Sequence, residues 1–377
     1  MICKKITVEN FRNIESAEVS FSDGVNVIYG NNAQGKTNLL EAVCMFSLGK
    51  SFRGVKENEF IRFDSQDTSL GMDYSDRFRS QDLRIYFDRS HQRYISHNGI
   101  KLLKLSELIG RFRAVLFVPE HLNVIKEGPS MRRSYLDVAI SQLRPAYLKS
   151  LQRYNHILAQ RNKLIKSAGG NRKNFDATVE FWSYQLASEA SAIVRSRVKY
   201  LALVSKELER SFSDMTGDRE KPSLAYDFSF RTDTDDVDDR EKITEAFFSQ
   251  LMSNHDREIA SGATMWGVHK DDVNVMLNGK SARMYASQGQ QRSLALGLKL
   301  AESSISMKDT GEWPVLLLDD VFSELDAERR EYLTERMKTG QVIMTACGDP
   351  VAADSAARVI RAESGRFYED ENKEKSL

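Results

Sequence analysis

The sequence predicts an α/β fold whose two halves lie at the two ends of the chain, with a mostly helical subdomain inserted between them. Short β-rich runs alternate with helical patterns at both ends, apolar stripes at helical spacing fill the middle, and a glycine-rich loop joins a strand to a helix near the start. We place the α/β lobe at 1–118 plus 262–368, the insertion at 119–261, and a disordered tail at 369–377.

The composition is that of a globular protein that needs no disulfide or metal to fold. The 377 residues are 41% hydrophobic and 29% charged, which excludes collagen-like and disordered classes. No apolar run approaches the roughly 20 residues of a membrane helix, and no signal-peptide core follows Met1. We therefore expect a cytoplasmic protein with no membrane partner. Its cysteines, Cys3, Cys44 and Cys347, are widely spaced and indicate neither disulfides nor a zinc site.

The net charge of zero hides an uneven distribution of charge along the chain. Segment 101–173 holds 15 basic and 4 acidic residues, whereas segment 207–258 holds 15 acidic and 7 basic residues. A basic face of this kind can neutralise nucleic-acid phosphates. Two helix faces of opposite charge can equally pair with each other. Charge alone leaves both interpretations open.

The first part of the chain reads as strands, one helix and then an antiparallel flap. Strands are predicted at 2–8 and 25–29, and a helix at 37–46 that ends before Gly49. Asn98-Gly99 is typical of a hairpin turn. The strands of the flap are predicted at 69–73, 83–87 and 94–96.

The middle of the chain is predominantly helical. After a strand at 115–118, long helices are broken at Pro129, Pro145 and 169–170. An apolar stripe over 147–165 and a longer one over 179–212, interrupted by Arg197, predict two antiparallel helices packed as a hairpin. The pair is too short for a long coiled-coil arm.

Strands and helices alternate again in the last third. Before them, the acidic stretch 232–239 lacks the glycine and glutamate of an EF-hand loop, so we expect a solvated loop. The later strands are predicted at 273–277, 314–318 and 342–346, and the later helices near 290–303 and 327–337.

Residues 30–37 read Gly-Asn-Asn-Ala-Gln-Gly-Lys-Thr and match the phosphate-loop pattern G-x-x-x-x-G-K-[ST] without a mismatch. The glycines let backbone N–H groups surround phosphates, Lys36 reaches the β and γ oxygens, and Thr37 ligates Mg²⁺. The motif predicts a P-loop NTPase that uses a nucleoside triphosphate and Mg²⁺, and no N-K-x-D sequence supports guanine specificity. Its predicted nucleotide contacts are Gly30, Asn31, Asn32, Ala33, Gln34, Gly35, Lys36 and Thr37.

Two carboxylates follow a continuous apolar run at 315–318, as expected of a buried parallel strand that delivers acids to one edge of a sheet. Asp319 is predicted to hold Mg²⁺, and Asp320 to act as the general base that polarises the attacking water. An aspartate is one methylene shorter than a glutamate, so we expect slow hydrolysis. With Lys36, these aspartates form the predicted catalytic set.

Residues 287–291 read Ser-Gln-Gly-Gln-Gln before a predicted helix, and they are similar to the signature of ABC-type ATPases. That signature caps the γ-phosphate held by the opposite subunit, so Ser287, Gly289 and Gln290 would act across a dimer. A plain helix cap is the alternative. Residues 323–326 resemble the D-loop of the same ATPases, and Cys347 occupies the place where many of them carry a histidine.

Together with these motifs, the chain from about residue 2 to 350 resembles the RecF family, DNA replication and repair ATPases related to SMC heads. The blocks that carry the resemblance are 10–13 (Asn-Phe-Arg-Asn), 30–42, 49–53, 119–137, 160–162, 267–272, 286–292 and 317–326. The chain departs from the family pattern at Glu127, and at Val268 and Lys270, where relatives usually carry proline and arginine. Lys270 keeps the charge but loses the guanidinium fork.

The resemblance implies an ABC-type, SMC-head-like ATPase lobe and an ATP-dependent homodimer that binds single-stranded DNA and junctions of single and double strands. It implies a slow, DNA-stimulated ATPase that works with RecO and RecR to load RecA and supports the SOS response. It also places Arg12 and Asn38 among the nucleotide contacts. The residues themselves offer these candidates for sequence-independent phosphate contact: Lys101, Lys104, Arg111, Arg113, Arg132, Arg133, Arg144, Lys149 and Arg153. Arg132 and Arg133 could instead pair with Asp137 or another acid.

Three other classes of protein share part of this pattern. The nucleotide-binding subunit of an ABC transporter would carry L-S-G-G-Q and a membrane partner, whereas this chain has Ala-Ser-Gln-Gly-Gln at 286–290. An SMC-like tether would need longer arms than an insertion of about 140 residues provides. A metabolic P-loop kinase has no use for a signature that acts across a dimer.

Overall fold

The computed structural model describes residues 1–54, 59–169, 172–230, 237–348 and 357–369. Over these residues the strands are β1 (Ile2–Phe11), β2 (Ile14–Ser20), β3 (Val25–Gly30), β4 (Asp67–Ser75), β5 (Ser80–Asp88), β6 (Arg93–His97), β7 (Ile100–Leu102), β8 (Ala114–Phe117), β9 (Pro222–Asp227), β10 (Asp272–Leu277), β11 (Lys280–Ser281), β12 (Val315–Asp319), β13 (Val342–Cys347), β14 (Arg358–Glu363) and β15 (Arg366–Glu369). The helices are α1 (Lys36–Leu48), α2 (Pro129–Leu143), α3 (Pro145–Ser167), α4 (Arg172–Thr216), α5 (Arg240–Ser253), α6 (His255–Ser261), α7 (Ala282–Tyr285), α8 (Gln288–Thr310) and α9 (Ala327–Met337).

The chain forms two compact units, and the first contains 1–123 and 295–377. One of its sheets has the order β2-β1-β4-β5-β6-β7 with antiparallel neighbours. The other has the order β15-β14-β3-β13-β12-β8, and its pairs are parallel except for β14 with β15. Both sheets contribute to one hydrophobic core, in which α1 packs against strands of each. A helix buried on nearly all sides explains why the α1 sequence is apolar on more than one face.

The second unit contains residues 124–294 and is mainly helical. Helices α3 and α4 pack as an antiparallel hairpin: Tyr147 near the start of α3 contacts Arg197 in the second half of α4, and Arg161 near the end of α3 contacts Ser183 near the start of α4. The predicted helix hairpin is thus confirmed. The predicted stripe on α3 is only partly right, since Leu151 and Leu158 are half-buried while Arg161 is fully buried.

The predicted hairpin turn and the predicted breaks at Pro129 and Pro145 coincide with observed boundaries of elements in the described ranges. Asn98 and Gly99 have φ of 51° and 75° and join β6 to β7, as the hairpin prediction requires. Pro129 and Pro145 each begin a helix, the position where a missing N–H costs nothing.

Gly170 lies outside the described residues, as do most of the acidic stretch 232–239 and the tail from 370 onward. The described Asp238 pairs with Lys199 of α4.

The division by contacts differs from the predicted boundaries. The predicted insertion ends at 261, whereas the second unit extends to Leu294. Strand pairing is the physical reason, since β10 pairs with β9 over six residues and β11 pairs with β10. Residues 262–294 therefore fold with the helical unit. None of the helices in the described ranges combines the length and apolar character that crossing a bilayer requires.

Candidate nucleotide-binding site

The phosphate loop follows β3 and ends where α1 begins at Lys36, as the motif predicts. Gly30 and Gly35 have φ of 150° and 102°, values that side chains disfavour, and Ala33 also lies in the left-handed region. A Cβ at Gly30 would lie 2.4 Å from the carbonyl oxygen of Ala362. The loop therefore needs these glycines, and it presents the N-terminus of α1 as a site for an anion.

Lys36 is buried and closes the loop from inside. Its Nζ donates to the carbonyl oxygens of Gly30 at 2.6 Å and of Asn31 at 2.8 Å. These two carbonyl groups hold the ammonium at the mouth of the loop. The charge of Lys36 is therefore held against the backbone of the loop.

Neighbouring segments support the loop from two sides. The Asn13 amide donates to the carbonyl oxygen of Ala33 at 3.1 Å, and Asn38 donates to Asn13 at 2.7 Å. Gln34 accepts from the backbone of the β14–β15 turn, where the N–H of Gly365 lies 3.0 Å from the Gln34 carbonyl oxygen. The side chain of Asn38 is thus directed toward Asn13, one of the residues that support the loop.

Arg12 lies close to the start of α1 and is held by a buried acid that the sequence analysis missed. Its guanidinium donates twice to Glu41, at 2.9 and 3.1 Å, and once to the carbonyl oxygen of Glu59. Glu41 is fully buried and also binds Ser51 and Arg53. A carboxylate within the apolar helix 37–46 was the available sign of this network. Arg12 is therefore rigidly placed, with most of its side chain buried.

Three parallel neighbours, β3, β13 and β12, end at the same edge of the sheet and bring the predicted acids to the loop. The Thr37 hydroxyl donates to Asp319 at 2.9 Å, and Thr345 donates to the same oxygen at 2.8 Å. Burial raises the pKa of Asp319, and these two hydroxyl donors oppose the shift. Thr345 was missed because nothing local marks a threonine inside an apolar strand.

Asp320 follows in an unusual backbone conformation. Its φ of 50° lies in the left-handed region, its N–H donates to Thr345 at 2.9 Å, and its carbonyl oxygen accepts from Ser323 at 2.7 Å. Strain at one residue, fixed by its neighbours, is typical of functional sites. The turn that contains Ser323 leads to Asp326, whose side chain caps α9.

Cys347 lies at the end of β13, beside the same carboxylate. Its Sγ is 3.0 Å from Asn32 Oδ1 and 3.6 Å from Asp320 Oδ2. Partial loss of hydration and the Asp320 charge raise the pKa of the Cys347 thiol. The side chain is therefore a neutral, weak donor in the place where an imidazole would carry two nitrogens.

Ser287 lies in the second unit and caps α8. Its Oγ accepts from the Gln290 N–H at 3.2 Å, and the Gln290 side chain accepts from the Ser287 N–H at 2.8 Å. This is a reciprocal capping box. Ser287 thus caps the helix, as the alternative interpretation predicts. Ser287 is also exposed, so its role as a cap does not prevent a contact across a dimer.

The predicted DNA-contact residues divide by their surroundings. Arg132 is buried and pairs with Asp272 at 2.7 Å, so the structural alternative holds for it, with Asp272 rather than Asp137 as the acid. Arg113 is mostly buried against Glu312. The remaining candidates are half-buried (Arg111 and Arg133) or exposed (Lys101, Lys104, Arg144, Lys149 and Arg153, the last paired with Glu189).

Comparison with known proteins gives consistent matches over nearly the whole chain. The family model described as RecF/RecN/SMC N terminal domain matches residues 2–366. The DNA replication and repair protein RecF of Ruminiclostridium cellulolyticum is 40% identical over 346 residues, which are 92% of each chain. The solved structure of the recombination mediator protein RecF with ATP, in the RecFOR pathway, is 34% identical, with a TM-score of 0.91 over 98% of this chain and 97% of that one.

A more distant structure shares the fold alone. The SMC head bound to the C-winged helix domain of ScpA is 14% identical, with a TM-score of 0.57 and full coverage of both chains. The predicted α/β, SMC-head-like fold class is therefore confirmed.

Proposed function

Because the chain belongs to the RecF family, we propose that it is an ATP-dependent DNA-binding protein that forms a dimer when ATP joins two copies. Its role is in DNA replication and repair, and it is an ATP-binding ATPase. The observation that carries the proposal is the contact between Thr37, at the start of α1, and Asp319, at the end of β12. It joins the phosphate loop to the acid pair in the arrangement that phosphoryl transfer requires.

Magnesium fits the oxygen donors of Thr37 and Asp319. The Asp319 carboxylate is buried, and no lysine or arginine within the described ranges forms an ion pair with it, so a cation would stabilise its charged form. Among the described residues, no group of three or more histidine, cysteine, aspartate or glutamate side chains is placed to hold a metal ion by itself. A site made of the Thr37 hydroxyl and the Asp319 carboxylate suits Mg²⁺, which is usually held by one or two carboxylates plus phosphate oxygens. When bound, Mg²⁺ would neutralise charge on the phosphates.

The residues of this chain would perform the remaining work of hydrolysis. Lys36 and the N-terminus of α1 hold the phosphates, and the Asp320 carboxylate orients a water and accepts its proton. The short reach of Asp320 and the neutral Cys347 thiol support a slow reaction. A slow ATPase suits a protein in which ATP controls a clamp. DNA would stimulate it by stabilising the closed dimer.

The exposed Ser287 supports the ATP-dependent dimer. Ser287, Gly289 and Gln290 lie at the N-terminus of a long helix, where backbone N–H groups and the helix dipole favour an anion. Met284 and Tyr285, just before this cap, are 73% and 67% exposed. An apolar patch beside an anion site is typical of a surface that a second copy covers.

Exposed basic residues would supply the DNA contacts. Lys101, Lys104 and Lys149 are exposed and suited to phosphates of either single strands or junctions. Membership of the family further supports action with RecO and RecR to load RecA, support of SOS induction, and residence in the cytoplasm. These finer points form part of the proposal.

The dimer is tested by two substitutions at Ser287 that keep the helix cap. Aspartate caps a helix as well as serine does, but its charge would oppose a γ-phosphate from the other copy. We expect Ser287→Asp to bind ATP as a monomer and Ser287→Thr to dimerise like the unchanged protein, as measured by sedimentation velocity with ATP and with ADP. If Ser287→Asp dimerises with ATP as well as the unchanged protein does, Ser287 is only a cap.

A further inference from the structure

A cavity of about 340 Å³ opens in the first unit, among residues other than those of the nucleotide site. It is lined by the turn that joins β4 to β5, the end of β6, the segment before β8 and the end of α8. Arg77, Arg79 and Arg111 point basic groups toward it, so we call it the arginine cavity. Its volume lies at the lower end of the range for ligand pockets, which suits one small unit of a ligand rather than a duplex.

The acids of the arginine cavity are already occupied. Asp76 accepts from the N–H groups of Phe78 at 2.8 Å and Arg79 at 2.9 Å, which organises the β4–β5 turn. Glu312 accepts from the Arg113 guanidinium at 2.9 Å and from the backbone N–H of Arg77. In the described part of the chain neither carboxylate forms an ion pair with Arg77 or Arg79, and the charge of Asp76, which interacts with Arg79, offsets only part of the positive charge of the cavity.

The three arginines that remain form a positive wall. Across the described part of the chain, no acid forms an ion pair with Arg77, Arg79 or Arg111. Arg111 is oriented by His97, whose Nδ1 lies 2.7 Å from Arg111 Nη1. Burial and the nearby arginines lower the pKa of His97, so the imidazole is neutral and accepts from Arg111. Several guanidinium groups around one concavity match the oxygens of a phosphate.

An aromatic ring stands at the rim of the same cavity. Phe78 is 77% exposed, and the Arg77 guanidinium carbon lies 4.5 Å from its ring centroid. A large apolar side chain at the tip of a turn has no role in the core. Proteins that bind single strands stack the unpaired bases on aromatic rings and on arginine guanidinium planes, close to the arginines that bind the phosphates.

We propose that the arginine cavity holds one nucleotide of single-stranded DNA, with its phosphate on Arg77, Arg79 and Arg111 and its base stacked on Phe78. This inference rests on the proposed DNA-binding function and adds a defined contact site to it. An acidic peptide would use the arginines but not the exposed ring, which is why the observations favour a nucleotide. The contact is independent of base identity, since every base presents a flat face.

The test uses the full chain and a fluorescently labelled single-stranded oligonucleotide, with ATP and without it, followed by anisotropy. We expect Phe78→Ala to weaken binding about 5- to 100-fold, as loss of one stacked base does. Arg77→Ala with Arg79→Ala should weaken binding and reduce the slope of log affinity against log salt by about 0.7, the value for one phosphate contact. Because these side chains are exposed, the variants should fold and bind a fluorescent ATP analogue normally.

Matched variants control for lost apolar surface and lost charge. Phe63→Ala removes a ring that is 92% exposed, and Arg93→Ala with Arg366→Ala removes two exposed charges from the same unit. Both should leave oligonucleotide affinity within about twofold. Cross-linking with an oligonucleotide that carries 5-iodouridine should label Phe78 or a neighbour in the turn, as read by mass spectrometry.

Three results would overturn the inference: no oligonucleotide binding by the unchanged protein, equal affinity in the Phe78 variant and its control, or equally strong competition by a polyglutamate of the same charge. A parallel titration of gapped DNA with and without ATP keeps the two proposals apart. If ATP does not change the affinity for gapped DNA while oligonucleotide binding is intact, only the proposed clamp is contradicted. An intact ATP effect in the Phe78 variant, with unchanged oligonucleotide binding, contradicts the arginine cavity only.

Discussion

The chemistry of the nucleotide site depends on a few side chains, of which Asp319 is the most constrained. It is buried at the end of β12, and its contacts with Thr37 and Thr345 fix the orientation of its carboxylate. The phosphate-loop motif predicts Lys36 and Thr37, and the apolar run before Asp319 predicts the acid pair, because each pattern is local in sequence. It does not predict Thr345 or Glu41, since each acts through a partner distant in sequence.

The first prediction concerns pH. Burial raises the pKa of Asp319, so protons compete with Mg²⁺ at a higher pH than for an ordinary aspartate. We expect the Mg²⁺-dependent part of ATP affinity to fall as the pH is lowered from about 8 to about 5. The measurement is a titration with a fluorescent ATP analogue, with and without Mg²⁺. Asp319→Asn should show little Mg²⁺ dependence at any pH, and a full, pH-independent Mg²⁺ effect in that variant would contradict the metal role.

The second prediction concerns the length of the side chain at 320. Asp320→Asn removes the base but tolerates the left-handed backbone, so ATP binding should persist while kcat falls about 100-fold or more. Asp320→Glu restores the base with one more methylene and should raise kcat above that of the unchanged protein. Steady-state release of phosphate measures both. If Asp320→Asn hydrolyses ATP at the original rate, another group is the base.

At the scale of elements, the α3–α4 hairpin shows where apolar periodicity is insufficient. The stripes predict two packed helices, yet Arg161 and Arg197 are buried within the packing. Arg161 binds Glu258 of α6, and Arg197 binds Asp137 of α2 and the carbonyl oxygen of Val268. In the sequence alone, a charged residue within an apolar stripe looks like an interruption of the stripe, because the acid that neutralises it belongs to another element. The local pattern is predictable and the polar network is not.

The third prediction tests this network. The Arg161–Glu258 pair has no exposed side-chain surface and an Nη2–Oε2 distance of 2.6 Å. Glu258→Gln keeps the shape but leaves the guanidinium charge unneutralised, which should lower the free energy of unfolding of the second unit by about 3–5 kcal/mol. Urea denaturation followed by fluorescence of Trp182 and Trp266 measures it.

An exposed pair on the same unit is the control for this prediction. Asp256→Asn breaks a surface pair with Arg172 and should leave the urea midpoint unchanged. An equal shift of the midpoint in both variants would mean that burial of the pair contributes nothing.

At the scale of the whole molecule, sequence patterns predict the class of fold and the order of elements, but not the limits of the two units. Those limits follow from the pairing of β9 with β10, which are about 45 residues apart and belong to no common motif. The proximity of the phosphate loop to Asp319 and Asp320 is predictable because three adjacent parallel strands end at one edge of the sheet. The arginine cavity is not predictable, since only the fold places His97 and Arg111 beside the turn between β4 and β5, and no local pattern in the sequence marks that proximity.

The most direct test of the ATP-controlled clamp is the anisotropy of a labelled gapped DNA titrated with the protein at fixed salt, in parallel with ATP, ADP and no nucleotide. We predict that ATP alone tightens binding, because two copies joined by nucleotide contact the DNA together. Lys36→Ala, which removes the charge that closes the phosphate loop, should abolish the difference. Equal affinity in all three conditions would contradict the clamp, as would an ATP effect that survives in Lys36→Ala.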